Sequence, residues 1–159
     1  MGTECVILAV ADAGPIIHLD EIDALSLLSV VDELLIPQTV YQELEAGTVP
    51  PALEAVEYEL VESDTTNFDV DLDPGETAAL AVASERAAVL LTDDLAARDA
   101  ANDRDVEVHG SIGVLVLAYT RGELEKSEAA ELMRALQTET SLFITDAVVE
   151  RGIALLDEA

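Results

Sequence analysis

The chain has 159 residues, of which 34 are Asp or Glu and 7 are Lys or Arg, so its formal net charge is −27. This is the length of one domain, and a hydrophobic content of 50% excludes an acidic disordered tail, because disorder combines high charge with low hydrophobicity. The single cysteine, Cys5, excludes an internal disulfide and a cysteine-based zinc site. The longest apolar run, Val6 to Ala11, is too short to cross a bilayer and lacks the basic flank of a signal peptide. We therefore expect a soluble, cytoplasmic protein with a single domain over residues 4–159.

The acidic residues are spread along the whole chain, and no lysine or arginine precedes Arg86. Self-repulsion on this scale destabilises a compact state at ordinary ionic strength. In molar salt the Debye length falls to roughly 3 Å, which screens most of this repulsion. We interpret the charge as adaptation to a salt-rich cytosol, which indicates a halophilic source. A functional acidic surface, such as a DNA mimic, is an alternative that the even spread of the acids disfavours.

Short apolar segments alternate with helical patterns along the chain. In chain order, the predicted elements are a strand at 5–12, a helical turn beginning at Gly14-Pro15, a helical segment at 23–31, a strand at 34–36, a helix at 37–47, a short helix after Pro50-Pro51, a strand at 58–61, a helix at 74–87, a strand at 88–92, a helix at 94–102, a strand at 106–109, and helices at 112–120, 127–137 and 145–156. Such alternation predicts an α/β domain with a mostly parallel central sheet.

Acidic residues stand at the ends of two predicted strands and in the helices that follow two others. Asp12 ends the first strand, Asp93 and Asp94 follow the strand at 88–92, and Glu43 and Glu76 lie in helices. In open parallel sheets, functional groups gather beyond the carboxyl ends of the strands. Carboxylates from separate segments suit a hard divalent ion such as Mg²⁺ or Mn²⁺, which can activate water and neutralise charge on a phosphodiester.

Each of these acids also has an ordinary structural interpretation. Asp12 is suited to capping the turn that follows it, and Glu43 to an exposed helix face. Asp73 and Glu76 have the spacing of a capping box. One residue of the Asp93-Asp94 pair is expected to cap the next helix.

Four further residues are weaker candidates. A packed or solvated role is favoured for His18 over that of a general base, and a structural role is favoured for His109. Ser111 is predicted to be the N-cap of the following helix. Arg98 is suited either to contacting phosphate or to pairing with Asp94, four residues before it.

Four segments, taken together and in order, resemble the PIN-domain proteins, in particular the VapC-like toxin ribonucleases whose middle motif is Gly-Glu-x-x-Ala-[LI]. The segments are DAGPIIHL, IPQTVYQEL, DPGETAALAVA and LLTDDLAARDAA. The later stretch HGSIGVLVLAYTRG is also similar to that branch. The resemblance covers roughly residues 5–125, and it extends more loosely to the helices at 127–157.

The resemblance implies a PIN-like fold, with helices on both sides of a mostly parallel sheet, and a metal-dependent endoribonuclease that is the toxin of a toxin–antitoxin pair. It implies that Asp12, Glu43, Glu76 and Asp93 are the catalytic acids that hold Mg²⁺ or Mn²⁺, with Asp94 as a further ligand. The third acid of the family is commonly Asp, so Glu76 is one methylene longer. The implied partners are an RNA substrate, a small antitoxin protein that blocks the acidic pocket, and a second copy of the chain in a homodimer.

Other functions of parallel α/β domains fit the sequence less well. A receiver-type phosphoacceptor domain needs a paired acid at the first strand and a lysine late in the sheet, whereas the only lysine is Lys126. A phosphatase of the haloacid dehalogenase type needs Asp-x-Asp, whereas Asp12 is followed by Ala13 and Gly14. A PIN-fold protein that binds nucleic acid or a partner without cleaving RNA stays open as an alternative.

Overall fold

A parallel sheet lies at the centre of the computed structural model, which describes residues 6–66 and 68–158. In these residues its five strands are β1 (Leu8–Ala11), β2 (Glu33–Pro37), β3 (Glu59–Val61), β4 (Val89–Leu91) and β5 (Val108–His109), in the spatial order β3-β2-β1-β4-β5. All four pairings between neighbouring strands are parallel. The chain is thus a single α/β domain, as the alternation of segments predicts.

Helices flank this sheet. They are α1 (Ala13–Glu21), α2 (Gln38–Ala46), α3 (Pro74–Arg86), α4 (Leu95–Asp103), α5 (Ser111–Thr120), α6 (Lys126–Thr138) and α7 (Asp146–Glu158), with short 3-10 helices at Leu25–Val30 and Pro51–Ala55. Helix α3 packs against β1, β2 and β4, and α4 packs against α3 and β5. Helix α5 packs against β5 and is backed by α6 and α7. No helix of the described residues is long and apolar enough to cross a membrane.

The core is built from small and aliphatic side chains. Ala9, Val10, Leu35 and Leu90 of the three central strands are essentially inaccessible to solvent. A parallel sheet covered by helices on both faces requires such continuous apolar strands rather than alternating ones. Alanines are frequent in α3, where they bury the helix closely against the sheet.

The sheet register brings the ends of β1 and β4 side by side. Ala11 pairs with Leu91, so the next residues, Asp12 and Thr92, leave the sheet together. The backbone N–H of Asp12 donates to the Leu91 carbonyl at 2.9 Å. Residues that follow these two strands therefore meet at one edge of the sheet.

The structure differs from the sequence predictions mainly in the length of elements. The predicted turn at Gly14-Pro15 is a nine-residue helix, α1. Strand β1 begins at Leu8, and β5 has two residues. Cys5, where the first predicted strand begins, lies outside the described residues.

Candidate active site

A cleft of about 280 Å³ opens at the edge of the sheet where β1 and β4 end. It contains all five acids that were predicted as site residues, together with a sixth acid and a histidine. The lining residues are Asp12, Ala13, Gly14, His18, Glu43, Asp73, Glu76, Asp93, Asp94 and Leu142. The fold therefore gathers six acids from four separate parts of the chain around one space.

Asp12 is the most buried acid of the cleft, with 5% of its surface exposed. It is the N-cap of α1, and its Oδ1 accepts a hydrogen bond from the Ala13 backbone N–H at 2.8 Å. Its Oδ2 accepts from the Thr92 hydroxyl at 2.9 Å. Burial raises the pKa of Asp12 to about 6, and the nearby Asp73 and Glu43 carboxylates add to this, although the two hydrogen bonds oppose it. Asp12 thus caps a helix and also presents a carboxylate to the cleft.

Glu76 combines the same two roles at the start of α3. Its backbone N–H donates to Asp73 Oδ1 at 2.8 Å, and its Oε2 accepts from the Asp73 N–H at 3.4 Å, which completes the predicted capping box. Partial burial raises the pKa of Glu76 to about 7, with repulsion from Asp73, Asp94 and Asp12 adding to the shift. Asp73, which the sequence predicts only as part of the helix capping box, also lines the acidic cleft.

Glu43 reaches the cleft from α2 and is held by the first turn of α3. Its Oε1 accepts a hydrogen bond from the Gly75 backbone N–H at 3.0 Å. A Cβ on Gly75 would overlap the Glu43 carboxylate, so a glycine is required there for this approach. Partial burial, followed by repulsion from Asp73, raises the pKa of Glu43. Glu43 is thus more than an exposed helix residue.

Asp93 is fixed by three hydrogen bonds from two other elements. Its Oδ1 accepts from the Ser111 backbone N–H at 2.7 Å, and its Oδ2 accepts from the Ser111 hydroxyl at 2.6 Å. His18 Nδ1 lies 2.7 Å from the same Oδ2. A Cβ on Gly110 would stand 2.6 Å from Asp93 Oδ1, so Gly110 allows the carboxylate to lie against the start of α5.

Two of these contacts correct sequence predictions. Ser111 is not the N-cap of α5; that position is Gly110, and the Ser111 hydroxyl binds Asp93 instead. His18 is neither simply packed nor solvated, because it lines the cleft and contacts Asp93 from α1. The local sequence gave no signal for either contact, since the partners are 18 and 75 residues apart.

Asp94 is the acid of the pair that caps α4, as one of the two was expected to do. Its Oδ2 accepts from the Ala97 N–H at 2.9 Å. Its own backbone N–H donates to the Thr92 hydroxyl oxygen at 3.3 Å, so Thr92 connects Asp94 to Asp12. Thr92 is a positioning residue that the sequence analysis did not single out.

Two other candidates lie outside the lining of the cleft. His109 ends β5, and its Nε2 lies 3.1 Å from Glu107 Oε2 at the surface. Arg98 forms no ion pair with Asp94 among the described residues. The Arg98 guanidinium lies close to Gly110, because a Cβ built on that glycine would be 3.1 Å from Arg98 Nη1. The same Cβ would be 2.6 Å from Asp93 Oδ1, so Arg98 is near Asp93.

The chemistry of the cleft suits a hard divalent cation. Its donors are carboxylate oxygens, which Mg²⁺ and Mn²⁺ prefer, and burial followed by repulsion from neighbouring carboxylates raises the pKa of Asp12, Glu43 and Glu76. Within residues 6–66 and 68–158, however, no three carboxylate or imidazole groups lie close enough to hold one ion. Ion binding therefore requires some of these side chains to change rotamer. Asp12, Glu43, Glu76, Asp93 and Asp94 are the residues that could provide ligands.

Comparisons with known proteins point to the same fold. The chain matches the DUF3368 family, described as a PIN domain, over residues 8–158. It is similar in structure to a PilT N-terminus domain protein, SSO1118, from the hyperthermophilic archaeon Sulfolobus solfataricus P2, with a TM-score of 0.55 and 18% sequence identity. That similarity covers 75% of this chain and 95% of the other. A search of curated proteins found no match.

Proposed function

The chain belongs to the PIN-domain family, a nuclease fold family, and from this premise we propose that it is a metal-dependent endoribonuclease of the VapC-like branch. The observation that carries the proposal is the cleft, in which six acids from four parts of the chain line one space. A group of carboxylates that repel one another is costly to a fold unless a cation occupies it. Asp12, Asp73 and Asp94 cap helices, and each also lines the cleft at this edge of the sheet.

The proposed reaction is hydrolysis of an RNA phosphodiester. Mg²⁺ or Mn²⁺, held by Asp12, Glu43, Glu76, Asp93 and Asp94, would lower the pKa of the attacking water and neutralise charge on the phosphodiester oxygens. Asp12 and Asp93 provide the fixed part of the site, because Thr92, Ser111 and His18 hold their oxygens in place.

Glu76 and Glu43 provide the adjustable part of the site. Glu76 has a pKa of about 7, so in the absence of an ion it holds a proton on a large fraction of molecules at neutral pH. That proton reduces the repulsion among the cleft carboxylates. The Gly75 N–H occupies one oxygen of Glu43, so we propose that this side chain changes rotamer when an ion binds.

The biological role that we propose is that of the toxin of a toxin–antitoxin pair. A small antitoxin protein would block the acidic cleft, and the chain would act as a homodimer on cytoplasmic RNA. The net charge of −27 supports a halophilic source. These proposals follow from the resemblance of the four motifs to VapC-like toxins.

A PIN-fold binding protein without catalytic activity is the second candidate, and one observation favours it. Asp93 already accepts three hydrogen bonds, and no three donors converge among the described residues. Isothermal calorimetry with Mg²⁺ and Mn²⁺ in molar KCl separates the two functions. A nuclease should bind the ions with heat that Asp12→Asn reduces, whereas a binding module should show no ion binding.

Activity itself is tested with a closed circular single-stranded RNA, which has no ends for an exonuclease to attack. The protein should linearise this RNA in molar KCl with Mn²⁺, and a chelator should abolish the cleavage. Intact circles after prolonged incubation, with RNAs of several sequences including tRNA, would contradict the proposed activity.

A further inference from the structure

A segment between α6 and α7, residues 139–145, forms part of the wall of the acidic cleft. Leu142 of this segment lines the cleft. The backbone N–H and the hydroxyl of Ser141 both donate to Glu21 Oε1 at the end of α1, at 3.3 and 2.8 Å. At the other end, Gln137 Nε2 donates to the Ile144 carbonyl at 3.2 Å. The segment is therefore held in place beside the site.

One aromatic ring of this segment points away from the protein. Leu142 and Ile144 pack against the core, whereas Phe143, between them, is 90% exposed. The other aromatic residues of the chain are half-buried: Tyr41 stacks on Tyr58, Phe68 lies under the Arg104 guanidinium, and Tyr119 packs against the core. A second exposed apolar side chain, Leu95 at 77%, directly follows Asp94 of the cleft. Each of these exposed side chains is thus adjacent in the chain to a residue that lines the cleft, Phe143 to Leu142 and Leu95 to Asp94.

The charge of the chain limits how it could hold a nucleic acid. Most nucleic-acid-binding proteins gain affinity from lysines and arginines that contact phosphates and release counterions. This chain has 7 such residues against 34 acids, and molar salt removes most of the gain from counterion release. Contacts to the bases, which do not depend on counterion release, therefore carry a larger share of the affinity for RNA. Stacking on an aromatic ring is such a contact, and it accepts any base.

We propose that Phe143 is a stacking platform for an unpaired nucleobase next to the phosphodiester in the cleft, with Leu95 as a second apolar contact. This inference rests on the proposed ribonuclease function and assigns the residue that holds an unpaired base of the RNA. A single ring that stands 90% exposed suits a base, which needs only one ring face. An anchor for a protein partner is more often a cluster of apolar groups around a pocket.

Steady-state kinetics on a short single-stranded RNA, in molar KCl with Mn²⁺, test the proposal. Phe143→Ala should raise KM about tenfold and leave kcat within about twofold, because it removes stacking but no group of the cleft. Phe143→Trp should restore the low KM, since it provides a larger ring. Leu60→Ala is the control: it removes a partly exposed apolar group, 41% exposed against 90% for Phe143, from the edge strand β3, and KM should not change. Circular dichroism checks that each variant is folded.

The outcomes separate the inference from the function on which it rests. If the protein cleaves RNA and Phe143→Ala has the KM of the parent, the stacking platform is wrong and the ribonuclease function stands. If the parent cleaves no RNA, both are wrong. If Phe143→Ala instead converts a dimer into monomers in sedimentation while KM is unchanged, Phe143 is a protein contact and the proposal is overturned.

Discussion

The Thr92 hydroxyl donates a hydrogen bond of 2.9 Å to Asp12 Oδ2, although the two residues are 80 positions apart. The register of the sheet explains the contact, because Ala11 pairs with Leu91 and the next residue of each strand must lie beside the other. Thr92 is 1% exposed and Asp12 is 5% exposed, so water cannot replace this donor. The hydroxyl therefore stabilises a buried carboxylate and fixes its direction.

Replacement of Thr92 by valine tests this contact. Thr92→Val keeps the side-chain shape but leaves a buried carboxylate oxygen without its donor, which should cost about 1–3 kcal/mol of unfolding free energy. Urea denaturation at pH 8 measures this loss, and Thr92→Ser, which keeps a hydroxyl, should lose less. Equal stability of the valine and serine variants would show that the bond contributes nothing.

The stability of the ion-free protein should fall as the pH rises. The pKa of Asp12 is raised to about 6 and that of Glu76 to about 7, both above their values in the unfolded chain. Their protonated forms therefore stabilise the fold fully below about pH 4, and this contribution is lost as the pH rises through about 6 and then about 7. For the buried Asp12 the loss is about 2–3 kcal/mol. Unfolding free energies from pH 4 to pH 8, in chelator and molar KCl, measure it.

Asp12→Asn isolates this effect from the general repulsion among the acids. The variant cannot ionise at residue 12, and its amide can accept from the Ala13 N–H through oxygen and donate to the Thr92 hydroxyl oxygen through nitrogen. Its stability should therefore fall less than that of the parent between pH 4 and pH 7. Parallel pH curves for the two proteins would mean that Asp12 titrates at its ordinary pKa.

Divalent ions should stabilise the fold if the cleft binds them. A ligand that binds only the folded state raises the melting temperature in proportion to the logarithm of its concentration over its dissociation constant. We expect Mg²⁺ or Mn²⁺ to raise the melting temperature in molar KCl, and the rise should be smaller in Glu76→Gln. Identical melting curves with chelator and with each ion would count against the cleft as a metal site.

The protein should require salt to stay folded. With a net charge of −27, dilution from molar to tens of millimolar KCl removes the screening of its self-repulsion. Circular dichroism should show loss of helix and a lower melting temperature over this range. A fold that is unchanged at low salt would contradict the interpretation of the acids as an adaptation to brine.

The sequence was sufficient to predict five of the six acids of the cleft, all but Asp73, because parallel strands place their carboxyl ends at one edge. Asp12 and Asp93 follow apolar strands, and the Asp73-Glu76 spacing marks the start of α3. The groups that hold Asp93 could not be found in this way. The sequence around Ser111 is compatible both with an N-cap residue and with the first residue of α5. The contact of its hydroxyl with Asp93, which follows β4, depends on the packing of α5 beside the end of β4.

His18 illustrates a second limit. Its contact with Asp93 requires α1 to continue at least to residue 18, whereas the sequence predicts only a short helical turn from Gly14-Pro15. A histidine on a helix is compatible with many environments, and no spacing in the sequence connects residue 18 to residue 93. Packing between distant segments, rather than local pattern, determines such contacts.

Cleavage of RNA by Asp93→Asn, compared with the parent and with Asp105→Asn, tests the central claim most directly. Asparagine at position 93 can still accept from the Ser111 N–H, and its amide can donate to the Ser111 hydroxyl, so the fold should survive. Asp105 is exposed in the turn before β5, with a φ of 56°, a conformation that asparagine adopts readily, so Asp105→Asn is a charge-matched control. In molar KCl with Mn²⁺, Asp93→Asn should lower the cleavage rate by orders of magnitude while the control keeps the rate of the parent. Equal cleavage by the two variants would contradict the assignment of this cleft as the active site.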